Sequence, residues 1–187
     1  MRAGDTDFDL EPYDEALRIA IESDGVESNL VESVRAAVGI EISGLVLEAA
    51  RLQSKARQKL GPGLWWCTER SLAQATAGPV ARLKSRWVHD GRIYDLCCGL
   101  GSDSVALSRG RPNARLTAVD RDPVMAAMAR ANLRLNAGTS RCEFDVRCGD
   151  VGQLQLPDEA FMHIDPDRRD GGSRKTRVDE YSPAWDT

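Results

Sequence analysis

The chain has 187 residues, 42% of them apolar and 29% charged, and a formal net charge of -4. That is the size of one domain with a small appendage, and it holds enough apolar material for a core. It lacks any apolar run near the roughly 20 residues a membrane span needs, and its overall charge does not suit a simple nucleic-acid binder.

Charge is unevenly spread. Residues 1–32 carry ten acids against two bases, so the remaining 19 acids and 23 bases leave the rest of the chain at +4. Bases cluster at Arg51, Lys55, Arg57 and Lys59, at Arg82, Lys84 and Arg86, and at Arg168, Arg169, Arg174, Lys175 and Arg177. They suit either a polyanion-binding face or solvated helix faces. The acidic start has no apolar signal core, so a cytoplasmic location and no membrane contact are expected. Five cysteines, an odd number without zinc-site spacing, read as reduced and buried thiols. No metal site is expected; His89 and His163 have no partner at ligand spacing.

Residues 1–90 are expected to form a helical subdomain, with 1–10 disordered. Apolar residues recur at helical spacing over Glu11–Ile21, Ser28–Val38 and Ile42–Leu60, where Arg51, Lys55 and Lys59 fall on the opposite side. Gly61-Pro62-Gly63 ends the last of these. Ser71-x-x-Gln74 is a candidate capping box for a further helix, and Val80–Val88 continues it or forms another.

The period changes at Arg92. Residues 91–187 are expected to form a partial Rossmann-like α/β core. Its strands are Arg92–Cys97, Ala114–Asp120, Glu143–Cys148 and Ala160–Ile164, and its helices are Asp103–Arg109 and Pro123–Asn136. Strands alternating with helices at this spacing predict parallel pairing. The 22 residues after Asp165 are mostly polar. The C-terminal strands of such a sheet are therefore missing from this sequence. Two explanations stay open: the chain is a fragment, or the exposed sheet edge is covered by another chain.

Between the first strand and its helix lies DLCCGLGSDS. Gly99 and Gly101 permit a tight bend and a close ligand, and the helix start that follows presents free amides. A dinucleotide fingerprint requires a third glycine, where this chain has Ser104. A nicotinamide-dependent oxidoreductase therefore rests on the glycine pair alone. Acids stand near the ends of all four strands: Asp95, Asp120, Asp150 and Asp165. In a parallel sheet these carboxyl ends border one crevice. Asp95 could orient the turn and meet an ammonium group, Asp120 could take both ribose hydroxyls, and Asp150 could meet an adenine amino group. Asp150 also suits a plain turn, and Asp165-Pro166 suits simple loop punctuation.

In this order the motifs DLCCGLG, AVDRDP, CGDV and IDPDRR resemble class I S-adenosylmethionine-dependent methyltransferases, over residues 92–169. The resemblance implies S-adenosylmethionine as cofactor and RNA or a nucleotide as substrate. It places Asp95, Cys97, Gly99, Gly101, Asp103, Asp120, Arg121, Asp150 and Val151 around the cofactor, with Cys97 where many members have glycine. It gives Asp165, Pro166, Asp167 and Arg168 to catalysis, although Asp167 replaces the second proline of nitrogen methylators. LWWCTERSLAQATAGPVARLKSRW resembles the segment before the core in trimethylguanosine-synthase-like proteins and in bacterial methyltransferases with a THUMP-like domain. By that resemblance Trp65, Trp66 and Thr68 approach the substrate; Arg168 and Arg169 suit either a grip on substrate phosphate or an exposed loop charge. The tryptophans suit core packing equally well. A truncated, non-catalytic cofactor-binding module is the alternative function.

Overall fold

The computed structural model describes residues 8–23 and 29–165 in full, together with the backbone of 169–170 and 173–174. A single 3-10 turn at Glu11–Tyr13 leads into α1 (Asp14–Glu22). Helices α2 (Leu30–Val38) and α3 (Ile40–Leu60) meet at Gly39. The short helices α4 (Glu69–Gln74) and α5 (Gly78–Ser85) follow. Then come β1 (Arg92–Leu96), α6 (Ser102–Gly110), β2 (Arg115–Asp120), α7 (Pro123–Asn136), β3 (Glu143–Cys148) and β4 (Ala160–Ile164).

The sheet is parallel throughout, in the order β3-β2-β1-β4. This is the Rossmann-like arrangement expected, with β3 and β4 at its two edges. Register places Ile93 beside Leu116 and Phe144, and Asp95 beside Ala118, Val146 and His163. Side chains in register share a face of a sheet. Ser104 of α6 reaches Asp95 on that face, so this is the side the helices cover. Beyond β4, Arg169–Asp170 (β5) pairs with Ser173–Arg174 (β6) as a two-residue antiparallel ribbon that sequence pattern did not suggest.

Two expectations need correction. Order reaches further toward the N-terminus than expected: Leu10 is fully buried and Phe8 packs against the core. The capping box lies three residues earlier. Thr68 is the N-cap of α4, and its Oγ1 accepts from the Ser71 N–H while the Ser71 hydroxyl accepts from the Thr68 N–H. Serine is small enough to close the reciprocal pair from the N3 position, where sequence rules look for Glu or Gln. The helical layer and the sheet share one hydrophobic cluster that runs from Leu10 to Val146.

The join between the two layers is residues Leu64–Cys67, all four buried. This segment is extended and belongs to no sheet, so its backbone polar groups need other partners. Side-chain amides supply them. Gln53 of α3 bonds both the N–H and the carbonyl of Trp65. Asn132 of α7 accepts from Trp66 N–H at 2.8 Å and donates to the Trp66 carbonyl at 2.9 Å. Asn136 donates to the Leu64 carbonyl. A carboxamide carries the donor and acceptor of a peptide group, and here each substitutes for a missing strand neighbour.

Candidate active site

The candidate site is the bend from Leu96 to Ser102 together with the carboxyl ends of β2 and β4. Cys97, Gly99 and Gly101 all have positive φ, at 61°, 55° and 84°. The two glycines serve different purposes. A Cβ on Gly101 would lie 3.0 Å from Ala129 Cα, so the bend is pressed onto α7. A Cβ on Gly99 would meet nothing within 4 Å, so this side of the bend is open. Cys97 adopts a left-handed conformation that costs an ordinary residue roughly 1–2 kcal/mol. Its thiol is pushed up to about 12, first by burial and then by Asp120 and Asp95. Burial likewise raises Cys98 and lifts Cys67 to about 12. Burial thus favours the protonated form of these thiols.

The acids do not share one role. Asp95 is 1% exposed, and both its oxygens are occupied: Oδ2 accepts from the Ser104 hydroxyl and Oδ1 lies 2.8 Å from His163 Nδ1. Asp95 is a buried brace that ties β1 to α6 and to β4. Burial works against a charged ring at His163, but the hydrogen bond and charge of Asp95 outweigh it and the pKa is raised.

Asp120 stands at the carboxyl end of β2, as expected. Its Oδ2 accepts from Gly99 N–H at 2.8 Å and its Oδ1 from Asp122 N–H at 2.9 Å, so it also pins the glycine bend. Burial raises its pKa, partly offset by those two amides. Asp122 caps α7. Asp150 follows β3, is exposed, and accepts from Gly152 N–H at the start of a 3-10 turn, while Val151 is half-buried in that turn. Arg121 is exposed.

Asp103, which the resemblance also set beside the cofactor, is the second buried acid of this region. It sits in the first turn of α6, is 8% exposed, and pairs through Oδ2 with Lys84 at 3.2 Å. Its Oδ1 is buried without a hydrogen-bond partner. Ser108 Oγ and Asn136 Oδ1 share that condition, but neither is an acid and neither adjoins the bend. An unpaired buried carboxylate oxygen carries a large desolvation cost and marks a place for a cationic group.

Trp65 and Trp66 are at most 1% exposed, with their indole N–H groups bonded to the Gly61 carbonyl and to Asp14. No face is left for a base to stack on, so they belong to the core, and Thr68 serves as a helix cap. Asp165 lies just past β4, its N–H bonded to the Leu96 carbonyl. Pro166, Asp167 and Arg168 lie outside the described residues, and Arg169 is described only as backbone in β5. Lys84 was read as one of a basic cluster. It instead points at acids, bonded to Asp103, Asp165 and Thr76. Nothing local in the sequence distinguishes it from Arg82 or Arg86, because its partners are 19 and 81 residues away. Among the described residues there is no cluster suited to a metal ion, and no helix long and apolar enough to cross a membrane.

Comparison with known proteins agrees with this geometry. Residues 93–164 match the family profile described as a methyltransferase domain. An uncharacterised S-adenosylmethionine-dependent methyltransferase of Mycobacterium tuberculosis is 34% identical over 146 residues, covering 74% of this chain and 38% of the relative. Type II methyltransferase M.XamI of Xanthomonas campestris pv. amaranthicola is 34% identical over 92 residues, which cover 47% of this chain and 17% of that protein. A crystal structure of a Porphyromonas gingivalis W83 protein assigned as a methyltransferase superposes with a TM-score of 0.66 at 25% identity, over 87% of this chain and 42% of that one. The chain thus spans less than half the length of these relatives. Residues 93–164 form a class I S-adenosylmethionine-dependent methyltransferase domain.

Proposed function

We propose that the chain contributes the cofactor-binding part of an enzyme that transfers a methyl group from S-adenosylmethionine to RNA or a nucleotide. The observation that supports this most directly is Asp103. Its Oδ1 is buried without a hydrogen-bond partner in the first turn of the helix that follows the glycine bend, and the α-ammonium of a methionine-derived cofactor is the complement of such a carboxylate oxygen. Asp120, at the end of β2, is the acid for the ribose, and Asp150 is the acid nearest the adenine edge.

S-adenosylmethionine supplies an activated methyl group, so the protein's task is alignment and exclusion of water. Gly99 gives the close approach, and Asp120 fixes the bend through the Gly99 N–H. Asp165 stands at the acceptor end, where its carboxylate would take an N–H of the incoming group and aim the nitrogen lone pair. The basic cluster at 168–177 would serve substrate phosphates. The narrower kinship, with trimethylguanosine-synthase-like proteins and bacterial methyltransferases bearing a THUMP-like domain, rests on the resemblance of residues 64–87 alone.

Calorimetry with S-adenosylhomocysteine, which keeps the amino-acid end of the cofactor, tests the cofactor half. Submillimolar binding is expected, weakened roughly 10- to 100-fold in Asp103→Asn, the range of a charged hydrogen bond. Unchanged affinity in that variant would overturn the assignment of Asp103. Transfer of labelled methyl groups to bulk RNA tests the substrate half; cofactor binding with no labelled RNA would overturn it.

A further inference from the structure

We propose that Lys84 is a positioning residue of the transfer centre, holding the cofactor-side acid Asp103 and the acceptor-side acid Asp165 in one fixed arrangement. This rests on the methyltransferase reading above.

Lys84 lies in α5, outside the methyltransferase domain proper, and its side chain is 27% exposed. An ammonium has three donors and no acceptor. All three have acceptors here: Thr76 Oγ1 at 3.2 Å, Asp103 Oδ2 at 3.2 Å and Asp165 Oδ2 at 3.5 Å. The two acids come from different elements, the first turn of α6 and the end of β4. Without the ammonium, two carboxylates that both approach one nitrogen would repel across the crevice.

The contact has two consequences. By taking Oδ2 of Asp103, Lys84 determines that Oδ1 is the oxygen offered to a cationic ligand. By holding Oδ2 of Asp165, it fixes the orientation of the carboxylate that faces the acceptor. Because Lys84 is carried by the helical layer, that layer reaches the site through this side chain. The buried tryptophans contribute only packing.

The test uses two ligands that differ in charge at the transfer position. S-adenosylhomocysteine is neutral there, whereas sinefungin carries an amine in place of the transferred methyl group, on a carbon that replaces the sulfur. Both are titrated by calorimetry into the wild type, Lys84→Met, Lys84→Arg and Asp165→Asn. Methionine keeps the apolar stem and removes the charge. Loss of the ammonium leaves Asp165 without that counter-ion, so the preference for sinefungin over S-adenosylhomocysteine should rise at least about fivefold in Lys84→Met. It should return toward the wild-type value in Lys84→Arg and fall in Asp165→Asn. Equal changes for both ligands in Lys84→Met would overturn the proposal, because a merely structural lysine would move them together. An unchanged ratio in Asp165→Asn would overturn it independently, should the lysine variant fail to fold. A wild type that binds neither ligand would overturn the methyltransferase reading itself, and this inference with it.

Discussion

Two buried polar regions of this molecule differ in what their polar side chains engage: neutral amides on backbone in one, carboxylates at a glycine bend in the other. In the segment Leu64–Cys67, the amides of Gln53, Asn132 and Asn136 pair with the backbone, and both indole N–H groups are bonded. In the bend from Asp95 to Asp103, Asp95 is fully engaged, yet Asp103 keeps one buried oxygen without a partner. Amides that stand in for strand neighbours hold the fold together, even though Asn136 Oδ1 is itself left without a partner. A missing partner at a crevice indicates a place that something else completes. Asn132 links the two regions directly, since its amide donates both to Trp66 and to the Leu100 carbonyl within the bend.

This contrast can be tested by substitution. The largest effect is expected for Trp66→Ala, which empties a fully buried indole site and should cost about 3–5 kcal/mol in denaturant unfolding. The fraction that remains folded should bind S-adenosylhomocysteine as the wild type does, if the segment is structural; a selective loss of affinity at unchanged stability would break the comparison.

A smaller effect is expected at the Asp95–His163 brace. The raised pKa of His163 adds stability that is complete below its ordinary value of 6.5 and is lost as pH rises through the higher folded value. Thermal unfolding across that window should show the wild type declining relative to His163→Gln, by about 1 kcal/mol, the difference between a charged and a neutral hydrogen bond. Parallel profiles for the two proteins would remove the ion pair from the account.

The smallest effect is expected for Cys97→Gly. Relief of the left-handed strain is partly offset by the freer unfolded chain, for a net gain of about 1 kcal/mol or less. The same change at an open bend should leave cofactor affinity within about twofold. Destabilisation would mean that the Cys97 side chain contributes packing that outweighs its backbone strain.

Much of this molecule was legible in its sequence. The long helix over 42–60, the four strands and the cap of α7 at Asp122 all follow from short-range pattern: helical period, β period, and a capping acid before proline. Glycines at 99 and 101 announced a bend because few other residues tolerate positive φ. Local pattern also brought the strand-end acids to one edge of the sheet, since parallel topology follows from the order of elements.

The division of labour among those acids was decided only by tertiary structure. Asp95 and Asp103 are both acids beside a glycine bend, eight positions apart, and the sequence reading set both beside the cofactor without distinguishing their partners. Strand register sets His163 against Asp95, and the packing of α5 on α6 brings Lys84 to Asp103. Each of these contacts joins residues distant in the chain. The free energy of a buried carboxylate depends on which partners fill its coordination, and only the folded chain determines that.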